Sequence, residues 1–103
     1  MISRNVLRAF YGSKPSRAIH AAAFEDWFRI ARKASWRNFS DTKSTFGQTD
    51  VATGDTGRTA TIFDVGGNKY RILAHVDYTR QTVKIEAVMD HKEYDKKNWT
   101  KLF

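Results

Sequence analysis

The sequence predicts an α+β fold in which an N-terminal helical hairpin packs on a small antiparallel β-meander. Three observations support this. Residues 16–34 are rich in helix formers, and Ile19, Ala23, Trp27, Ile30 and Ala34 recur at helical spacing, with Phe24 and Phe28 widening the stripe. Residues 59–90 are β-branched and apolar, alternating with polar positions in the manner of strands. Gly66-Gly67 then divides the first two strand-like runs, and tight hairpins need the positive φ that glycine adopts without steric cost.

Taken in chain order, Ser3 can cap a first helix in which Val6, Leu7 and Phe10 fall at helical spacing. Gly12 suits the position just past its end. Pro15 suits the start of the second helix, where its missing N–H would be unpaired anyway, with Ser13 or Lys14 just outside. Residues 35–58 hold Ser, Thr, Asp, Gly and Asn with few aliphatics, and read as a long polar loop. Within it a short strand is expected near Val51, and a single helical turn from Ser40-Asp41 anchored by Phe39 and Phe46. Three strands follow, over 59–65, 69–78 and 82–90, with a polar turn at 79–81. The charged tail, 91–103, adds a short helix.

Side chains alternate along a strand, so each strand can be assigned two faces. Tyr70, Ile72, Ala74, Val76 and Tyr78 are expected under the helices, and Lys69, Arg71, Leu73, His75 and Asp77 on an open face. In the third strand Val83, Ile85, Ala87 and Met89 are expected inward, and Lys84, Glu86, Val88 and Asp90 outward. An outward Arg71 would contribute less than about 1 kcal/mol to stability, whereas Tyr70 would be a core ring.

A chain of 103 residues is the size of one domain, spanning 1–103, and buries roughly 60–68% of its unfolded surface. Three Trp, four Tyr and seven Phe supply apolar material for one core. The formal charge of +7 and pI near 9.9 attract polyanions, of which nucleic acid is the commonest. The absence of cysteine excludes disulfides and thiolate metal sites and fits a reducing cytoplasm. No stretch approaches the ~18 apolar residues of a membrane span, and the opening residues lack the apolar core of a secretory signal.

Cutting RNA without metal needs a base for the 2′-hydroxyl, a cation for the charge growing on phosphorus, and an acid for the leaving 5′-oxygen. Arg71 on an open sheet face is a candidate phosphate clamp, because the guanidinium fork binds two phosphate oxygens. His91 and Tyr94, just past the last strand, are candidates for proton transfer. Taken singly, Arg71 reads more simply as a solvated strand arginine and His91 as an ordinary surface histidine. His20 and His75 read as structural. No histidine pair has the spacing of a zinc motif and no carboxylate cluster suggests magnesium, so neither metal nor cofactor is expected.

Two runs change that balance. Phe63-Asp64-Val65-Gly66-Gly67-Asn68-Lys69-Tyr70-Arg71-Ile72-Leu73 resembles the hairpin signature of the HigB toxins, Phe-Asn-Ile followed by Gly-Asn-Lys-Tyr-Arg-Leu. His91-Lys92-Glu93-Tyr94-Asp95-Lys96 resembles that family's closing motif, Thr-His-X-Glu-Tyr-Asp-Lys. Ile2-Ser3-Arg4, the helix with Trp27, and Ala34-Ser35-Trp36-Arg37-Asn38 follow the family's order, so the resemblance covers nearly the whole chain. The chain departs from the pattern at Asp64, where Asn is usual, at Met89-Asp90, where Gly-Thr is usual, and in a longer, more polar loop over 46–58. Asp90 is expected to raise the pKa of His91 or orient it.

The resemblance implies a RelE-like fold and an mRNA-cleaving endoribonuclease toxin of a type II toxin–antitoxin pair. Such a toxin is ribosome-dependent, inhibits translation, works in the cytoplasm, and uses metal-independent attack by the 2′-hydroxyl. It implies mRNA and the ribosome as partners, together with a HigA-type helix-turn-helix antitoxin through which alone operator DNA is contacted. It points to no membrane partner. Carried onto this chain, it assigns Lys69 and Arg71 to the phosphate, His91 to proton transfer, and Tyr94 to proton transfer or base stacking. Asn68 and Lys92 join the RNA-binding set, Asn68 mainly as a turn residue. Asp95 is expected to pair with Lys96 or Arg71. Arg17, Arg29, Arg32, Lys33 and Arg37 lie on the helices away from this site, as holds for ribosome or antitoxin. The rival reading is a non-catalytic RNA- or DNA-binding module with the same layering. A third is a degenerate toxin that only sequesters its antitoxin, against which the intact Lys69, Arg71, His91 and Tyr94 argue.

Overall fold

A computed structural model describes residues 5–67 and 69–103. The Ser3 cap and the turn residue Asn68 lie outside the described residues. Helix α1 (Asn5–Tyr11) ends where expected, with the Gly12 N–H donating to the Arg8 carbonyl at 3.0 Å. Lys14 stands just before α2 (Pro15–Ala18), and Pro15 occupies its first turn.

The single helix expected over 16–34 is two helices. His20, at φ −103° and ψ 9°, separates α2 from α3 (Ala21–Lys33). The buried stripe of α3 is also rotated from the expected one. Phe24, Trp27, Phe28 and Ala31 are buried, at a spacing of three, four and seven, whereas Ile19 is 78% exposed and Ile30 40%. Burying three large rings removes more apolar area from water than burying two isoleucines and small alanines, so the rings set the rotation.

The polar stretch after α3 is more ordered than a loop. Helix α4 (Phe39–Thr45) starts at Asn38, whose side chain accepts from the Asp41 N–H at 3.0 Å. Asp41 in turn accepts from the backbone N–H of Arg37 at 2.9 Å and from its Nε at 3.0 Å. Strand β1 (Asp50–Thr53) confirms the short strand near Val51. It pairs antiparallel with β2 (Thr59–Val65), which pairs with β3 (Tyr70–Asp77), which pairs with β4 (Thr82–Asp90). The sheet therefore has four strands in sequential order rather than three. Gly66 and Gly67 both adopt positive φ, 69° and 71°, within a four-residue connection from β2 to β3.

One sheet face is as expected. Tyr70, Ile72, Ala74, Val83 and Ile85 join Leu7, Phe24, Trp27 and Phe28 in the main core. The other face departs twice from expectation. A β-bulge beside Leu73 and Ala74 makes their β4 partners Ala87 and Ile85, leaving Glu86 as the extra residue. Beyond it the alternation inverts. Val88 packs on the helix side, while Ala87 and Met89, expected inward, pack on the opposite side with Leu73. That side is not open either. Helix α5 (His91–Asp95) and a 3-10 helix (Asn98–Leu102) fold across it, and Trp99 and Phe103 bury Ala60, Ile62 and Leu73. Gly54 admits this cover, since a Cβ there would come within 2.5 Å of Phe103.

Candidate nucleic-acid interface

A cleft of about 310 Å³ opens between the turn entering α2 and the point where β4 runs into α5. Three of the sequence-selected residues, Lys69, His91 and Lys92, line it. Backbone pairing brings them together. Tyr70 opposes Asp90 at the end of the β3–β4 ladder, and one step further the His91 N–H donates to the Lys69 carbonyl at 2.9 Å. Asp90 then terminates the strand by capping α5, its Oδ1 accepting from the Glu93 N–H at 2.8 Å.

The carboxylate that orients His91 is therefore Asp95, not Asp90. Asp95 Oδ2 lies 3.1 Å from His91 Nδ1, one helical turn on. Lys96 pairs with Glu93 instead. With Nδ1 held, Nε2 is the ring nitrogen directed to other chemistry, the arrangement by which a carboxylate selects a histidine tautomer.

Arg71 and Tyr94 occupy the opposite face of the sheet. The expectation of an open-face arginine is corrected here, because Arg71 keeps only 12% of its side chain exposed. Its Nε lies 3.2 Å from Oδ1 of Asp64, the residue directly across β2, and it also donates to the Tyr70 carbonyl at 3.2 Å. The guanidinium carbon stands 5.4 Å from the centroid of Tyr94, which stacks in parallel on Trp99 at 5.6 Å. Burial raises the Asp64 carboxyl above its ordinary value, opposed by the charge of Arg71 and reinforced by Asp50. Burial likewise raises the Tyr94 hydroxyl, again opposed by Arg71. Tyr94 thus keeps its proton across the neutral range and is a donor rather than a base.

The four residues expected to act together therefore form two groups. Lys69 and His91 face the cleft; Arg71 and Tyr94 sit among Asp64 and Trp99. Helix α5 joins them, carrying His91 and Tyr94 three residues apart.

Sequence reasoning missed one wall of the cleft. Arg17, expected to lie away from the site, lines it together with Lys14 and Ser16. The usable signal was Gly12 and Pro15, which confine the helix–helix turn to a few residues and so aim its cations in one direction. His20 packs edge-on to Tyr70 at 5.2 Å between ring centroids, and His75 is exposed in β3, outside the cleft lining. Among the described residues no group of three His, Asp or Glu side chains could hold a metal ion, and no helix is long and apolar enough to cross a membrane.

Comparison with known proteins gives this architecture a family. Over 34 residues the chain is 50% identical to the mRNA interferase toxin HigB of Escherichia coli K12, and to the same extent to the mRNA interferases HigB of Escherichia coli O157:H7 and Shigella flexneri. Each alignment covers 33% of this chain and 33% of the relative, so the chain spans about a third of the length of the curated relatives it matches. The family model of the HigB toxin, described as the RelE-like toxic component of a toxin–antitoxin system, matches residues 20–97, from the end of the helical turn through β4 and all of α5. On that match the chain belongs to the HigB toxin family.

Proposed function

We propose that this protein is an endoribonuclease that cleaves mRNA at the ribosome and so inhibits translation, acting in the cytoplasm under the control of a HigA-type antitoxin. The observation that carries the reading is the seating of His91 against Lys69 in a cationic cleft, with Tyr94 one turn along the same helix beside Arg71. The names of its relatives support the same activity.

The chemistry follows from what each group can do. His91 Nε2, with Nδ1 held by Asp95, takes the proton of a ribose 2′-hydroxyl as its oxygen attacks the adjacent phosphorus. Lys69, beside His91 in the cleft, stabilises the extra charge on the phosphorane oxygens, and Arg71 joins it by leaving the Asp64 carboxylate and reaching the phosphate past α5. Tyr94, kept protonated by burial, gives its proton to the departing 5′-oxygen. The products are a 2′,3′-cyclic phosphate and a 5′-hydroxyl, and no metal enters the sequence. Operator DNA is reached only through the antitoxin.

Message fragments from a purified translation reaction test this. The wild-type protein should cut message within translated codons, and His91→Ala should lose cleavage while retaining RNA affinity. A folded wild-type protein that binds RNA but leaves message intact would establish the non-catalytic binding module instead.

A further inference from the structure

We propose that Lys14 and Arg17, on the turn between α1 and α2, are positioning residues that hold a backbone phosphate of single-stranded RNA next to the scissile one. This rests on the reading of the cleft as the RNA site and assigns it a second wall.

Arg17 is fixed in advance. Its NH1 donates to Ser13 Oγ at 2.9 Å, and its guanidinium carbon lies 4.0 Å from the centroid of Phe10. Ser13 Oγ is itself tied down, donating to the Phe10 carbonyl at 2.6 Å. An arginine held in this way loses little conformational freedom on meeting an anion, which is how pre-organisation raises affinity. It meets no carboxylate among the described residues. Arg8, Arg29, Arg37, Arg58 and Arg80 are each beside an Asp or Glu. Lys14, Lys69 and Lys92 also have no carboxylate partner among the described residues, and all three line the same cleft. The one carboxylate among the described residues that line it, Asp90, directs an oxygen at the first turn of α5.

Four cations and a histidine therefore converge from two walls on a space of about 310 Å³, near the lower end of ordinary ligand sites at roughly 300 Å³. That is the scale of one nucleotide unit rather than a duplex. His91 belongs to this lining, so a strand whose 2′-hydroxyl reaches His91 must run its neighbouring phosphate past Lys14 and Arg17. An acidic protein segment would meet the same charge but would have no use for the histidine, and RNA is favoured on that ground.

The test separates binding from cleavage. A fluorescent single-stranded RNA with 2′-deoxyribose throughout its central residues binds but cannot be cut, and its affinity is followed by anisotropy between about 50 and 200 mM salt. Lys14→Ala combined with Arg17→Ala should lower affinity at least tenfold and reduce the slope of log affinity against log salt by about 0.7, since each phosphate neutralised on a single strand contributes about 0.7 and the two residues share one phosphate. Arg80→Ala with Lys84→Ala, which removes equal charge elsewhere, should leave the slope unchanged. If loss of the Arg17–Phe10 contact unfolds the double variant, Lys14→Ala alone should still reduce the slope, by part of that ~0.7. An unchanged slope in a folded variant overturns the proposal. So does retained RNA binding with lost binding of a polyglutamate probe, which would identify an acidic protein segment as the occupant. Failure of the wild type to cut ribose-containing message, with the slope reduced as expected, would remove the catalytic reading and leave Lys14 and Arg17 as a phosphate contact for bound RNA.

Discussion

The two faces of the β3–β4 ladder treat their charges in opposite ways. On the helix side the cleft keeps Lys14, Lys69 and Lys92 solvated and without carboxylate partners among the described residues. On the other side Arg71 is enclosed by Asp64, Tyr94 and the ring of Trp99 behind it. A solvated cation attracts RNA from a distance and costs nothing to leave alone. A buried one must be neutralised, and Asp64 does so at the expense of its own desolvation. On the proposed reading, one half of the site is a landing surface for RNA and the other a restrained charge that a competing phosphate would release.

The sharpest way to break that distinction is to remove the cover. Trp99→Ala deletes a buried ring that roofs Leu73 and Ile62 and supports Tyr94, and should cost on the order of 3–5 kcal/mol. Tyr70→Ala, on the helix side, should cost about the same, because Tyr70 touches Phe10, Phe24 and His20. Chemical denaturation measures both. If Trp99→Ala costs less than about 1 kcal/mol, comparable to a surface change, the second face is open after all and Arg71 is a solvated residue.

Arg71→Ala should produce an effect of intermediate size on stability and a large one on rate. The sequence suggested an outward arginine worth little to the fold. Its pairing with Asp64 changes that, because truncation strands a largely buried carboxylate, at a cost of roughly 1–3 kcal/mol. Cleavage should fall about a hundredfold or more, as when a donor to transition-state charge is lost. The two readouts are measured on the same protein. A folded, fully active Arg71→Ala would move the phosphate clamp to Lys69.

What the sequence revealed and what it hid follows from where each signal resides. The faces of β3 were legible because Tyr70, Ile72 and Ala74 alternate without interruption and the helices have aromatic stripes to match. The face inversion in β4 was not legible, because the apolar run Ala87-Val88-Met89 fits either face and nothing in Glu86 marks the bulge. The covered second face does leave a trace in the sequence. Leu73, on the supposed open face, needs an apolar cover, and Trp99 and Phe103 in a charged tail are the rings that supply it. The break at His20 carries no Gly or Pro, so propensity could not place it. The motif residues themselves were recognisable, but their division between two faces depends on tertiary packing that no local pattern records.

The smallest effect tests which force governs Asp64. Burial favours its neutral form and raises its pKa above the ordinary 3.8, while Arg71 favours the charged form and lowers it; burial is the larger of the two. A carboxyl with a raised folded pKa contributes stability that is fully present below the unfolded value and is lost as pH rises through the folded value. Asp64→Asn has no proton to lose at this position. The stability of the wild type relative to this variant should therefore decline as pH rises from below 3.8 through the raised value, and then level off. Denaturant midpoints of the two proteins at matched pH values give that difference directly. At neutral pH the same substitution removes the anion that competes for Arg71, so affinity for uncleavable RNA should rise roughly two- to fivefold, the size of a modest ion pair. Burial and pairing predict opposite slopes. If the wild type instead gains on Asp64→Asn as pH rises, the attraction of Arg71 outweighs desolvation, and the pair is a structural tie rather than a restraint that phosphate displaces.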